Sequence, residues 1–119
     1  MRESESTALA HAIPSTALVT TCEVAVIEVT RAVRLAGLEG DLEHELFELL
    51  AGCTLIAVDS DVVRSAAALA SESLRPLDAL HLATAMAVAP DVMYVYDRQL
   101  GRAARKVGLR VEAPGASDP

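Results

Sequence analysis

Along the 119-residue chain, short continuous apolar blocks alternate with longer blocks whose apolar positions recur at helical spacing. Residues 4–12 read as a short helix stopped before Pro14, and ALVTT at 17–21 as a brief strand. CEVAVIEVTRAVRLA at 22–36 predicts a long helix ended by Gly37. A second helix over 41–50 places Leu42, Leu46, Leu49 and Leu50 on one face. Its Glu43, His44, Glu45 and Glu48 fall elsewhere, so an acidic face is expected in solvent. TLIAV at 54–58 predicts a buried strand, and Asp59 or Ser60 caps a helix in which Val62, Val63, Ala66, Ala67 and Ala70 keep helical spacing. LRPLDALHLATA at 74–85 leads into a nearly all-apolar helix predicted over 78–89. VMYVY at 92–96 is the strongest strand pattern, followed at once by Asp97 and a helix to Val107 that Gly108 stops. LRVEAP gives a last short strand, and the polar tail GASDP at 115–119 is expected to be disordered.

Strands alternating with helices predict an α/β fold, a parallel sheet with helices on both faces. In such sheets the functional crevice lies beyond the carboxyl ends of the strands, which is where Asp97 falls. The length suits one domain over 1–119, with no internal repeat and no low-complexity linker. Hydrophobic residues make up 52% with no tryptophan, so the core must be built from Ala, Val, Leu and Ile. A net charge of −7 argues against a general nucleic-acid-binding surface, but leaves room for a local basic strip and for acids gathered around a cation. Cys22 and Cys53 have no metal-ligand spacing and are expected as free thiols in a reducing cytosol. Glu3 and Glu5 stand where a secretion signal needs positive charge. The apolar run at 79–90 is shorter than the roughly 20 residues of a membrane span, so the chain is expected to be soluble, cytoplasmic and off the membrane.

Candidate chemistry then concentrates in a few polar residues. Asp78 opens an apolar helix, where it either caps free backbone N–H groups or serves as a functional acid. Asp97 has the same two readings at the end of VMYVY. Glu28 interrupts VAVIEVTRAV between Ile27 and Val29. A surface ion pair to Arg31 at i+3 explains why it is tolerated but not why it is there. His81, one turn beyond Asp78, lies on the polar seam of its helix with Thr84, positioned to orient Asp78, to meet substrate, or to do neither. His44 sits among glutamates and is expected in water. Arg98, Arg102 and Arg105 share one helix face, either as a solvated surface or as a strip for a phosphate backbone.

Together these segments resemble a known family. A strand ending in Thr-Thr runs into a helix carrying V-I-E-V-T-R-A; LRPLDALHLATA follows, then a strand into YDRQLGRAARKVGL. The pattern resembles the PIN-domain ribonucleases, specifically the VapC-type toxins of type II toxin–antitoxin pairs, and 74–86 and 94–114 are its most specific parts. The resemblance implies a three-layer α/β/α domain in which Glu28, Asp78 and Asp97 hold Mg²⁺ or Mn²⁺ for endoribonuclease chemistry. On this reading Arg98 and Arg102 would meet RNA, with His81 only a weak extra candidate behind the acids. It also implies a homodimer restrained by a VapB-like antitoxin. Two carboxylates about 4 Å apart repel by around 4 kcal/mol at an effective dielectric of about 20, so such a cluster calls for a cation or a shared proton. Hard oxygen ligands favour Mg²⁺ or Mn²⁺ over zinc.

Two departures from the family pattern carry expectations of their own. The family opens on an apolar strand ending in a fourth acid, an Asp followed by Thr or Ser, whereas here MRESES aligns with the helix after it. That strand is expected at the sheet centre, so its absence would leave unpaired edges and an open core. Val95 stands where the family often has Thr or Ser, two residues before its last aspartate. A truncated, catalytically inactive PIN domain that binds antitoxin or RNA without cutting is therefore the alternative to an active nuclease.

Overall fold

The computed structural model describes residues 8–9, 11–14, 17–37 and 40–116; the remainder of the predicted 4–12 helix and residues 117–119 of the predicted tail lie outside them. The order is β1 (Thr20–Cys22), α1 (Val24–Ala36), α2 (Asp41–Ala51), β2 (Thr54–Ile56), α3 (Ser60–Leu69), α4 (Pro76–Val88), β3 (Met93–Tyr94), α5 (Arg98–Lys106) and β4 (Val111–Glu112). Residues 8–9 and 11–12 are helical, ahead of Pro14.

Local chemistry sets most of these boundaries. Gly37 ends α1 in the left-handed region at φ 64°, its N–H returning to the carbonyls of Val33 and Arg34. Asp59 caps α3 by accepting from the Val62 N–H at 2.9 Å. α4 begins two residues earlier than its apolar pattern predicts. Pro76 takes the first helical position, where a fixed φ and a missing N–H cost nothing. Asp78 is therefore an acid of the first turn and not the N-cap, which is Arg75. At the other end Ala89 adopts φ 52°, a left-handed conformation in a residue that carries a Cβ.

The strands are parallel, as their alternation with helices predicts. β1 runs beside β2 in the register Thr20↔Thr54, and β3 beside β4 in the register Met93↔Val111. Among the described residues these form two separate two-stranded sheets instead of the single sheet expected, so β1 and β3 each have a strand partner on one side only. VMYVY is shorter as a strand than its pattern suggests, although the Val95 N–H extends its ladder to the Glu112 carbonyl at 3.0 Å. Beyond Glu112 the partner strand soon meets Pro114, which has no N–H to give.

Val62, Ala66, Leu74, Ala79, Leu82, Ala83, Val95, Leu100 and Ala104 form the core, between α3, α4, α5 and β3. It is the small aliphatic core that the composition requires. Thr84 is buried within α4, its hydroxyl donating to the Leu80 carbonyl at 2.8 Å, so it does not continue an exposed polar seam beyond His81. The first half of the chain is less well covered. α1 buries only Val33 and leaves Ile27 and Leu35 about 70% exposed (70% and 69%). On α2, Leu49 is also exposed, against its predicted place on a buried leucine face, while the Leu42 side chain lies outside the description. Cys22 is buried, Cys53 half-buried, and both are free thiols. Among the described residues no helix is long and apolar enough to cross a membrane.

Candidate functional site

Glu28 lies midway along α1, and its carboxylate Oε1 sits 2.6 Å from Nε2 of His81 on α4. The contact joins residues 53 positions apart, and it replaces the local ion pair to Arg31 that the spacing allows. His81 is largely covered there, while Glu28 stays partly open to solvent. The histidine thus meets Glu28, not Asp78, although all three share one corner of the molecule.

Asp78 stands one turn before His81. Partial burial pushes its carboxyl above the ordinary carboxylate range, and the charges of Asp97 and Glu28 push it further. His81 and Arg75 act in the opposite direction. Asp97 and Glu28 therefore both act on Asp78, though the three acids come from separate helices or helix ends. Asp97 is also a structural cap, with Oδ1 accepting from the Leu100 N–H at 2.8 Å. Its structural and functional readings are compatible, since one carboxylate oxygen remains for other work.

The donor set is chemically suited to a hard divalent cation: three carboxylates, no thiolate, and one acid raised by burial and then by its negative neighbours. Its arrangement is looser than a finished coordination shell. Among the described residues no three acidic, histidine or cysteine side chains stand together closely enough to hold a metal ion as they are. Glu28 is turned to His81, and Asp97 gives one oxygen to its helix.

Arg98 and Arg102 are exposed on α5, the helix that Asp97 caps. Arg105 and Lys106 occupy its last turn, where they complement the negative end of the dipole. His44 is exposed, 3.8 Å from Glu48 one turn along, as its surroundings predict. Val95 contributes no polar contact and belongs to the apolar core. Arg75 was not singled out by its sequence context; only its place at the start of α4, beside Asp78, makes it part of the site's electrostatics.

Comparison with known proteins gives matches to a family profile and to named relatives. The profile of the PIN domain matches residues 2–106. Ribonuclease VapC35 of Mycobacterium tuberculosis is 38% identical over 93 residues, covering 75% of this chain and 67% of that protein. Ribonuclease VapC47 of the same species is 32% identical over 92 residues, covering 76% of this chain and 67% of that protein. No solved structure gives a significant match.

Proposed function

The chain belongs to the PIN-domain family, among its VapC-type members, and we propose that it is a metal-dependent endoribonuclease, the toxin of a toxin–antitoxin pair. The observation that carries this reading is the approach of Asp97 and Glu28 to Asp78, whose carboxyl burial raises and these two charges raise further, an environment that favours the arrival of positive charge. Two relatives named as ribonucleases support the same chemistry.

In this reading Asp78, Asp97 and Glu28 would hold Mg²⁺ or Mn²⁺, which when bound would activate a water and stabilise charge at the phosphate under attack. Asp78 and Asp97 stand on the first turn of α4 and at the cap of α5, so two rigid helices fix their backbones. His81 holds Glu28 from behind and limits the rotamers open to it. Arg98 and Arg102 meet RNA phosphates beyond the acids and bring the chain to bond-cleaving distance. The partners proposed with this function are an RNA substrate, a VapB-like antitoxin and a second copy of the chain, in the cytoplasm.

The decisive experiment is cleavage of RNA by the purified chain with Mg²⁺ or Mn²⁺, with EDTA, and for Asp78→Asn. Metal-dependent cleavage that the substitution abolishes supports the proposal, and equal cleavage by the variant overturns the assignment of Asp78. A second reading, a PIN domain that binds antitoxin or RNA without cutting, is favoured by the loose arrangement of the three acids. It predicts no metal-induced rise in thermal stability and no cleavage, with RNA or antitoxin binding retained.

A further inference from the structure

We propose that the cleft between the turn after α3 and the outer face of α5 is a nucleotide subsite that grips an RNA phosphate away from the acids. It rests on the ribonuclease reading and adds a place for the strand beyond the bond that is cut. The cavity measures about 400 Å³ and is lined on its polar side by Ser71, Ser73, Gln99, Arg102 and Lys106. Leu74 and Leu82, both almost wholly buried, form its floor.

The chemistry of this lining is that of an anion site. Arg102 and Lys106 stand one helical turn apart on α5 and so address the same space. Among the described residues neither is paired with a carboxylate, and no acid lines the cleft, in a chain with 17 acidic and 10 basic residues. Opposite them the turn is fixed. The Ser71 N–H donates to the Leu74 carbonyl at 2.9 Å, and the Leu74 N–H donates to Ser71 Oγ at 3.2 Å. Ser71 Oγ and Ser73 Oγ are 3.2 Å apart, so one hydroxyl proton serves that contact and the other remains to donate outward. Two cations, a hydroxyl and the Gln99 amide above an apolar floor suit a phosphate joined to a sugar and base.

Position favours RNA over an acidic peptide. α4 and α5 both lead from the acids to the cleft, since Leu82 is one turn beyond Asp78 and Arg102 five residues beyond Asp97. At 1.5 Å per residue, Arg102 and Lys106 lie about 7.5 and about 13.5 Å along α5 from Asp97. With roughly 3.4 Å per stacked nucleotide, that is about two to four nucleotides from the acids. Helical rotation carries Arg102 about 140° and Lys106 about 180° round the axis from Asp97, so a flexible single strand turns about α5 to enter the cleft.

The test is the affinity of a short fluorescent mixed-sequence single-stranded RNA for the full chain, in EDTA so that nothing is cut, across a salt series. Lys106→Glu and Ser73→Glu each place a carboxylate at this exposed lining, and Arg64→Glu, on α3 outside the cleft, matches the charge change of Lys106→Glu and exceeds that of Ser73→Glu. The two cleft variants are expected to weaken binding about tenfold more than the control, and Lys106→Glu to flatten the salt slope by about 0.7 for one lost phosphate contact. Cleft variants that match Arg64→Glu while the wild-type chain still binds and cleaves RNA overturn the subsite and leave the nuclease reading standing. A wild-type chain that neither binds nor cleaves RNA overturns both. Unchanged RNA affinity with loss of binding to a synthetic acidic peptide assigns the cleft to a protein contact instead, and also overturns the proposal.

Discussion

Asp97 is a helix cap in the structure and a metal ligand in the proposed function, and different substitutions separate the two. Asn caps a helix about as well as Asp, whereas Ala removes the acceptor that Leu100 N–H uses, at a typical cost of about 1 kcal/mol. Asp97→Asn is therefore expected to unfold near the wild-type denaturant midpoint and Asp97→Ala clearly below it, with RNA cleavage lost in both. Asp78 behaves differently, because burial and then Asp97 and Glu28 raise its carboxyl. The folded chain holds that proton more tightly than the unfolded chain, so this group's contribution is full below the ordinary carboxyl value of about 3.9 and is lost as pH rises through the raised folded value. Asp78→Asn is expected to melt higher than wild type at pH 7, by less than about 1 kcal/mol for so open a group. That advantage should vanish near pH 3. Melting curves at the two pH values check it, and a variant less stable at pH 7 would show that Asp78 is held chiefly by favourable contacts.

At the scale of elements, α4 is the organising piece. Its residues Ala79, Leu82 and Ala83 fill the core, while its first turn and His81 carry the site, so packing and chemistry share one rigid helix. Its weak point is its end. Ala89 sits at φ 52°, where a Cβ costs about 1–2 kcal/mol relative to the right-handed region. Glycine removes that cost but gives the unfolded chain more freedom, worth about 0.4–1 kcal/mol. Ala89→Gly is expected to raise stability by up to about 1 kcal/mol, measured as a shift in denaturation midpoint without a change in slope. A loss of stability would mean that the alanine methyl makes packing contacts that outweigh its strain. The apolar pattern of α4 was legible in the sequence, but its first residue was not. The pattern places the start at Asp78, and Pro76 as a helix-opening residue is what carries the backbone into the helix two residues sooner.

Across the whole molecule, burial is uneven. The continuous core lies in α3, α4, α5 and β3, while α1 buries Val33 alone and β1 pairs only with β2 among the described residues. Opening free energy follows buried contact, so the two regions should differ in hydrogen exchange. Backbone amides of α4 are expected to exchange only on global unfolding, and those of α1 and β1 through smaller openings. Equal protection in both regions would show one cooperative unit. The exposed Ile27 and Leu35 on α1 are the kind of apolar surface that a bound partner covers, so antitoxin binding is expected to narrow that difference.

Sequence alone determined what depends on neighbours along the chain. Gly37 had to stop α1, Asp59 or Ser60 had to cap α3, Asp97 stood as a cap candidate for α5, and a chain this poor in aromatics had to pack Ala, Val and Leu; the structure then gave both caps to the aspartates. The alternation of strands and helices made the strand pairs parallel. Tertiary structure decided what depends on residues remote in sequence. Glu28 has no local reason to prefer His81 over Arg31, and the 2.6 Å contact exists only because the fold brings two side chains 53 positions apart within reach of each other. Thr84 reads as polar but is buried, since a hydroxyl can return its hydrogen bond to its own helix. The division of the strands into two pairs likewise depends on which edges meet in space, and hydrophobic spacing specifies a strand's faces but not its neighbour.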